Sequence, residues 1–265
     1  MSLQPINLKE VIPKQGQVNL DTYSSFNPRI YLDEYYSTVG QENSFLLKFY
    51  HDIFENLPAG LSMFELGGGP TIYQLLSASK KVKSIVFSDY LQNNLAEVAG
   101  WLVKDHNSFS WRKFSFAVAE LEGAECLQSK AIEIEERTRN CLEALVPCDA
   151  LLPSVSVSVA QRKFDILSSS FCLECISKEE NEFVNALFNA KKLLEPKGYL
   201  LLTMLKNSSW YQVADRSYPS VPINDLNLLS YLNLIDFEPV EYRESNADNK
   251  QGYDGIIAAL AVKRG

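Results

Sequence analysis

A glycine-rich turn followed by a carboxylate is the pattern in this sequence that most clearly suggests chemistry. Gly67 and Gly69 end a short apolar run directly before a helical stretch, where they allow a tight turn and close approach of the backbone to a ligand. Such a turn alone also fits a strand-to-helix connection without a ligand. Asp89, 22 residues after Gly67, stands at the tip of the next apolar run, where a carboxylate accepts hydrogen bonds from ribose hydroxyls. The two features together predict a site for a cofactor that contains a nucleoside.

The same turn argues against several cofactors. A dinucleotide fingerprint needs a third glycine three residues after Gly69, where this chain has Ile72, and no G-K-[ST] of a P-loop is present. An NAD-dependent oxidoreductase is an alternative that conflicts with Ile72. S-adenosylmethionine has an adenosine and a sulfonium but no phosphate, and its cationic sulfur suits a protein with a formal net charge of −8. The turn therefore favours S-adenosylmethionine.

Composition and charge exclude further classes of function. The 265 residues are 46% hydrophobic without a Pro/Gly/Ser-rich linker, which predicts a single domain. The acidic balance argues against nucleic acid and anionic membranes as partners, and no apolar run reaches the roughly 18–20 residues of a membrane span. With only two histidines, His51 and His106, Ser-His-Asp hydrolysis is not favoured.

The cysteines and the N-terminus indicate where the protein works. Five cysteines are an odd number, and the start MSLQPINLKE has neither a basic nor an apolar region of a signal peptide. We therefore expect a reduced, cytoplasmic protein, and we expect it to be a monomer. Cys172 and Cys175 form a C-x-x-C, but no second pair stands at zinc-site spacing, so we expect no metal.

The elements that position these residues alternate between strands and helices. Residues 21–57 are predicted to be helical, residues 177–180 to form a capping box, and residues 154–159 to form a loop despite their Ser/Val alternation. The alternation predicts an open, mostly parallel α/β sheet that binds ligands beyond the carboxyl ends of its strands. The predicted strands are residues 61–66, 84–89, 114–118, 164–169, 199–205, 240–242 and Gly255–Lys263. The predicted later helices include residues 93–104, 133–145 and 222–233.

Several stretches of the chain resemble a known enzyme family. They include DTY (21–23), FNPR (26–29), YLDEYY (31–36), GGGPTIYQLL (67–76), Asp89-Tyr90, Cys148-Asp149, CLE (172–174), PKG (196–198) and SWY (209–211). Because these stretches occur in order from Asp21 to the C-terminus, the sequence resembles the nicotinamide, phenylethanolamine and indolethylamine N-methyltransferases.

The resemblance implies a fold, a cofactor and a set of site residues. It implies a Rossmann-like class I methyltransferase with a mostly parallel seven-stranded sheet, one antiparallel strand, a helical lid over residues 1–57 and a core over residues 58–265. It implies S-adenosylmethionine as methyl donor and S-adenosylhomocysteine as product. The residues implied for the cofactor are Tyr31, Tyr36, Gly67, Gly68, Thr71, Tyr73, Asp89, Tyr90, Asn94, Asp149, Ala150 and Ser170. Those implied for the methyl acceptor are Tyr35, Glu174, Met204, Ser208, Tyr211 and Ser220.

The chemistry of methyl transfer assigns roles to two of these residues. The reaction is an in-line displacement whose leaving thioether needs no proton, which agrees with the shortage of histidines. An alkylammonium has no lone pair, so we expect Glu174 to bind it and to accept a proton directly or through water. Tyr31, the second expected catalytic residue, would close over the cofactor and face the acceptor.

Two departures from the family concern the acceptor. Met204 replaces the Asp of the nicotinamide enzymes, and Ser208 replaces a second acid of the phenylethanolamine enzyme. We therefore expect a small primary or secondary amine, such as an arylalkylamine, rather than nicotinamide or another pyridine. The alternative is a non-catalytic module that binds S-adenosylmethionine or S-adenosylhomocysteine and acts through a protein partner. The intact tyrosines of the lid and Glu174 favour the enzyme.

Overall fold

A seven-stranded sheet with helices on both faces forms the centre of the molecule. The structure, a computed structural model, describes residues 22–177, 179–247 and 252–265. The strands are β1 (Leu61–Glu65), β2 (Val82–Asp89), β3 (Leu142–Pro147), β4 (Phe164–Ser170), β5 (Leu194–Lys206), β6 (Trp210–Val213), β7 (Arg216–Pro219), β8 (Phe237–Asn246) and β9 (Gly255–Lys263). The helices are α1 (Pro28–Tyr36), α2 (Gln41–Asn56), α3 (Tyr73–Ala78), α4 (Gln92–Leu102), α5 (Arg112–Leu121), α6 (Leu127–Cys141), α7 (Leu173–Ile176), α8 (Glu180–Lys191) and α9 (Asp225–Leu234).

The strand order of the main sheet is β3-β2-β1-β4-β5-β9-β8. The pairs from β3 to β5 are parallel, whereas β9 runs antiparallel to both β5 and β8. This arrangement confirms the expected Rossmann-like fold with one antiparallel strand. It brings the carboxyl ends of β1 to β5 and the start of β9 to one edge of the sheet, which is where ligands bind in such folds.

Hydrophobic clusters cover the two faces of the sheet. Parallel strands are buried on both sides, and β4 and residues 199–205 of β5 accordingly consist mostly of apolar or small residues. Helix α2 packs one apolar stripe, which includes Phe49, Tyr50 and Phe54, into the cluster on one face. On the other face, Phe183 and Leu187 of α8 pack against β4 and β5. The sheet is thereby fixed, and the loops at its carboxyl edge have a rigid base.

Two predicted elements between β2 and β4 are wrong. Residues 114–118 form part of α5 rather than a strand, because the buried residues Phe114, Ser115, Val118 and Ala119 recur with the spacing of a helix face. The predicted helix over residues 133–145 ends at Cys141, and the third strand of the sheet is β3. The apolar run of β3 follows the charged helix without a break, so the sequence pattern joined the two.

The predicted capping box is also wrong. The Ser177 hydroxyl donates to the carbonyl oxygen of Leu173 at 2.8 Å and so completes the end of α7. The N-cap of α8 is Glu179, whose side chain makes no capping bond, and residue 178 lies outside the described residues, as do residues 1–21 of the predicted lid. The loop predicted at residues 154–159 is confirmed, with a single 3₁₀ turn at Val157–Val159.

A β-hairpin lies beside the main sheet, and the described helices and side-chain clusters give no sign of a membrane span or a metal site. Strands β6 and β7 pair antiparallel outside the main sheet, and the sequence patterns did not predict them. None of the helices within the described ranges has the length and apolar character needed to span a bilayer. In the same ranges, no cluster of His, Cys, Asp and Glu side chains has an arrangement suited to a metal ion.

Candidate active site

The glycine turn after β1 forms the floor of a cavity at the carboxyl edge of the sheet. Gly67 and Gly69 have φ values of +64° and +63°, which favour glycine. A Cβ atom on Gly67 would lie 2.0 Å from the Cys172 Sγ atom, and one on Gly68 would lie 2.4 Å from the ring of Phe87. The turn therefore needs these glycines both for its backbone conformation and for its packing against β2 and the loop after β4.

Asp89 ends β2 beside this turn. Its Oδ2 atom accepts a hydrogen bond from the Gly69 amide at 2.8 Å, and its Oδ1 atom accepts from the Leu91 amide at 2.8 Å and from the Asn94 side chain at 3.0 Å. Burial raises the pKa of Asp89 to about 6. The Tyr90 amide also donates to this carboxylate, so hydroxyl donors of a ligand would share its oxygens with these donors of the protein.

A buried network that the sequence analysis did not identify holds the turn from behind. The Thr71 hydroxyl donates to the carbonyl oxygen of Gly68 at 2.8 Å, and the Gln74 side chain donates to Glu65 at 3.2 Å and to the same carbonyl at 3.3 Å. Burial raises the pKa of Glu65 to about 8, which favours the protonated form of this carboxyl at neutral pH. The signal in the sequence was an acid at the buried end of β1, two residues before Gly67.

Asp149 and Asn94 each carry a buried oxygen that has no hydrogen-bond partner in the described part of the chain. The Asp149 Oδ1 atom accepts from the Leu151 amide at 3.0 Å, but its Oδ2 atom is buried and unpaired. The Oδ1 atom of Asn94 is likewise buried and unpaired. A buried acceptor without a partner costs about 1–3 kcal/mol. Both residues line the same cavity as Asp89, so these acceptors are placed for donors of a bound ligand.

Tyrosines from the N-terminal segment cover the cavity. The hydroxyl oxygens of Tyr31 and Tyr36 lie 3.3 Å apart, and the Tyr36 ring stacks on Tyr73 with centroids 5.4 Å apart. The Tyr35 hydroxyl donates to the carbonyl oxygen of Gln212 at 2.5 Å, which ties α1 to the hairpin β6–β7. We define residues 22–36 as the lid. The lid is closed over the cavity, and the hairpin holds it there.

A stack of aromatic rings joins the lid to the hairpin a second time. Tyr23 stacks on Tyr218 with centroids 5.2 Å apart, and Tyr218 stacks on Tyr211 with centroids 5.3 Å apart. The Tyr23 hydroxyl donates to the carbonyl oxygen of Cys175 at 2.7 Å. Tyr23, Tyr211 and Cys175 line the cavity. The sequence analysis did not assign Tyr23 to the site, since its partners are distant in the chain.

Glu174 lies directly behind the cavity lining. Its Oε1 atom accepts a hydrogen bond from the Leu205 amide at 3.1 Å, and burial raises the pKa of Glu174 to about 7. Leu205 and Cys175 line the cavity, whereas Glu174 is not among the lining residues. A carboxyl with this pKa exchanges a proton readily near neutral pH.

Three other residues expected at the acceptor lie outside the lining. Met204 packs in the hydrophobic cluster on the α8 side of the sheet. The Ser208 hydroxyl donates to the carbonyl oxygen of Trp210 at 2.7 Å. The Ser220 hydroxyl is buried without a hydrogen-bond partner among the residues that the structure describes. The expected residues that do line the cavity are Tyr31, Tyr35, Tyr36, Gly67, Gly68, Thr71, Tyr73, Asp89, Tyr90, Asn94, Asp149, Ala150, Ser170 and Tyr211.

The electrostatic character of the cavity is acidic and aromatic. Glu42, Asp89 and Asp149 line it together with many tyrosine rings. Among the described residues in the lining there is no Lys, Arg or His. Carboxylates and the faces of aromatic rings stabilise positive charge. The cavity is therefore suited to a cationic ligand and not to a polyphosphate.

Comparisons with known protein sequences agree with this geometry. A model described as the NNMT/PNMT/TEMT family matches residues 15–264. Nicotinamide N-methyltransferase of Homo sapiens is 34% identical over 219 residues, which cover 79% of this chain and 81% of the relative. Indolethylamine N-methyltransferase of Oryctolagus cuniculus is 30% identical over 255 residues, or 90% and 94% of the two chains. Phenylethanolamine N-methyltransferase of Sus scrofa is 32% identical over 268 residues, or 95% and 93%.

Solved structures share the architecture at low sequence identity. The DhpI–SAH complex superposes with a TM-score of 0.59 at 13% identity, covering 94% of this chain and 98% of that one. The N-methyltransferase NodS from Bradyrhizobium japonicum WM9, in complex with S-adenosyl-L-homocysteine, superposes with a TM-score of 0.55 at 11% identity, covering 94% and 99%. These similarities concern the fold.

Proposed function

The chain belongs to the NNMT/PNMT/TEMT family of S-adenosylmethionine-dependent N-methyltransferases, and we propose that its acceptor is a small primary or secondary amine rather than a pyridine. The observation that carries this proposal is the single cavity that joins the glycine turn and Asp89 to an aromatic, acidic end under the lid. One ligand with a nucleoside and a second ligand with an amine fit side by side in such a cavity.

The residues at the glycine turn fit S-adenosylmethionine. We propose that Asp89 accepts from the ribose hydroxyls and that the Asp149 Oδ2 atom, which is buried without a partner in the described residues, accepts from the exocyclic amine of adenine. The glycine turn offers backbone groups to the amino acid tail. We propose that the remaining residues complete the binding of the cofactor: Tyr31, Tyr36, Thr71, Tyr73, Tyr90, Asn94, Ala150 and Ser170.

Bound S-adenosylmethionine supplies a methyl group on a positively charged sulfur. The nitrogen of an amine attacks the methyl carbon in line with the bond from that carbon to sulfur. The closed lid excludes water and orients the two partners, and the Tyr31–Tyr36 pair fixes the lid beside Tyr73. Because Glu174 lies behind Cys175 and Leu205, we propose that the proton of the ammonium reaches it through a water. We further propose that Tyr35, Met204, Ser208, Tyr211 and Ser220 shape the acceptor end of the site.

The charge of the cavity supports an amine over a pyridine. An alkylammonium gains from the carboxylates and tyrosine faces, whereas a neutral carboxamide gains little from them. Met204, which stands where the nicotinamide enzymes have an acid, is buried in an apolar cluster and offers no hydrogen bond to a carboxamide. An alkylammonium must also lose a proton before it is methylated, and a buried carboxyl such as Glu174 can accept that proton.

Labelled methyl transfer tests this proposal. The protein is incubated with methyl-tritiated S-adenosylmethionine and a panel of arylalkylamines, alkylamines and pyridines, and label is counted in each acceptor. We expect transfer of label to amines. Asp89→Ala is the matched variant, and we expect it to lose this transfer because it binds the cofactor less well. Tight binding of S-adenosylhomocysteine without transfer to any acceptor supports instead a non-catalytic module that acts through a protein partner.

We also propose that the protein works in the cytoplasm as a monomer without a nucleic acid partner. Its five cysteines are free and its formal net charge is −8. Sedimentation velocity is expected to give one species near the chain mass of 29.9 kDa. A species of twice that mass contradicts the monomer.

A further inference from the structure

The cavity extends along the sheet beyond the part that the proposed reaction uses. Asp89 and Asp149 follow β2 and β3, Cys175 follows β4, and Tyr253 and Ile256 stand at the start of β9. In the strand order, β9 is two strands beyond β4. Neighbouring strands are about 4.8 Å apart, so the start of β9 is roughly 10 Å from the end of β4. The lining of the cavity therefore continues roughly 10 Å past the residues that follow β4.

A carboxylate is held in place at this far end. Glu42, in the first turn of α2, accepts hydrogen bonds from the Tyr253 hydroxyl, with distances of 2.8 Å to its Oε1 atom and 3.1 Å to its Oε2 atom. Both residues line the cavity. Asn43 and Tyr35 line it beside them, and the Asn43 side chain donates to the Tyr35 carbonyl oxygen at 3.0 Å. The Tyr253 hydroxyl thus orients the Glu42 carboxylate in a part of the lining that also includes Tyr35 and Asn43.

The chemistry of this end of the cavity selects a cation. An ionised carboxylate only accepts hydrogen bonds, and it binds a charged donor about twice as strongly as a neutral one. A hydroxyl or an apolar group on the acceptor receives less from the same surroundings.

Resting on the proposed function, we propose that Glu42 binds a second protonated nitrogen of the acceptor, so that this enzyme prefers diamines. One nitrogen, at the end of β4, forms the new bond to the methyl carbon while the bond from that carbon to sulfur breaks, and its proton leaves toward Glu174. The other nitrogen keeps its protons and its charge, and Glu42 holds it. Glu42 therefore determines specificity and takes no part in bond making.

Glu42→Gln is the variant that isolates the charge. Glutamine keeps the size of the side chain and an oxygen that accepts from the Tyr253 hydroxyl. Glu238→Gln is the matched control, since it removes the same charge from an exposed position on β8 outside the cavity. Tyr253→Phe is the second variant, since it leaves the carboxylate in place without the hydroxyl that orients it.

A matched pair of acceptors tests the proposal. We measure kcat/KM for 2-(4-aminomethylphenyl)ethylamine and for 2-(4-methylphenyl)ethylamine, which differ only in the second nitrogen. We expect the wild type and Glu238→Gln to favour the diamine by about tenfold or more, as befits a charge-assisted hydrogen bond. We expect Glu42→Gln to lose this preference because its kcat/KM falls much more for the diamine than for the monoamine, and we expect Tyr253→Phe to reduce the preference.

Equal kcat/KM values for the two acceptors in the wild type overturn the inference, and so does an unchanged preference in Glu42→Gln. Calorimetry of each acceptor on protein saturated with S-adenosylhomocysteine separates this failure from failure of the proposed function. Binding of the diamine that depends on Glu42, without methyl transfer to any amine, contradicts the proposed function alone. Methyl transfer to both acceptors with equal binding contradicts the inference alone.

Discussion

Replacement of Gly67 by alanine is expected to disrupt the cofactor turn in two separable ways. The backbone has a φ of +64° at this position, which an L side chain rarely adopts. In addition, the new Cβ atom would lie 2.0 Å from the Cys172 Sγ atom and 2.9 Å from its Cβ atom. Gly69 is a natural control, because its φ is +63° but a Cβ atom there would meet no atom within 4 Å.

The magnitudes follow from these contacts. Gly69→Ala places an L side chain in the left-handed conformation without any close contact, which costs about 1–2 kcal/mol. Gly67→Ala introduces the same strain and an overpacked contact that forces Cys172 or the turn to move, which adds about 1–3 kcal/mol. Cys172→Ala removes the Sγ atom that makes the shortest contact. The double variant Gly67→Ala/Cys172→Ala is therefore expected to recover most of the second contribution and none of the first.

Two assays measure these contributions. Urea denaturation of the four variants gives the free energies of unfolding, and the double-mutant cycle gives the coupling between residues 67 and 172. Calorimetry with S-adenosylhomocysteine shows whether the loss of cofactor affinity follows the same order, with Gly67→Ala the weakest. Equal destabilisation by Gly67→Ala and Gly69→Ala, or zero coupling in the cycle, refutes the reasoning.

Three further predictions concern side chains of the site. The pKa of Asp89 is raised to about 6, and only its ionised form accepts from both ribose hydroxyls, so the affinity for S-adenosylhomocysteine measured by calorimetry is expected to fall as the pH drops through about 6. Asp89→Asn is expected to remove this pH dependence, and a flat profile in the wild type excludes the ribose contact. Glu174→Gln is expected to slow amine methylation by on the order of 10²-fold or more, to be partly rescued at higher pH because more of the amine is then neutral, and to affect a neutral pyridine much less. Equal losses for both acceptors without rescue at high pH make Glu174 structural. Tyr31→Phe is expected to lower turnover more than cofactor affinity, because its hydroxyl orders the closed lid beside Tyr36; equal losses in steady-state kinetics and calorimetry make it a binding contact only.

The parts of the fold that follow from local pattern were predictable from the sequence. β9 agrees with its predicted bounds, and β1, β2 and β4 differ from theirs by one or two residues at an end. The two errors beside them arise where local pattern is ambiguous. Five residues of α5 look the same as a short strand, and only the packing of Phe114 and Val118 among the neighbouring helices decides for the helix. The hairpin β6–β7 consists of two four-residue strands with little burial, which leaves almost no periodic signal.

The candidate site divides in the same way. The turn at Gly67, Asp89 and Asp149 come together because they follow neighbouring strands of a parallel sheet, which sequence reasoning anticipates. Contacts across the chain are different, because no local pattern encodes them. Glu42 and Tyr253 are 211 residues apart, and Tyr23 and Cys175 are 152 apart. Only the docking of the N-terminal helices onto the start of β9 and the loop after β4 brings these pairs into one cavity.

The measurement that tests the central claim most directly is a competition for limiting methyl donor. The wild-type protein receives equimolar 2-phenylethylamine and nicotinamide with a substoichiometric amount of labelled S-adenosylmethionine, and mass spectrometry quantifies both methylated products. Because the cavity holds carboxylates and tyrosine rings and has no cationic side chain in its described lining, the amine product is expected to dominate. Dominance of methylated nicotinamide contradicts the account.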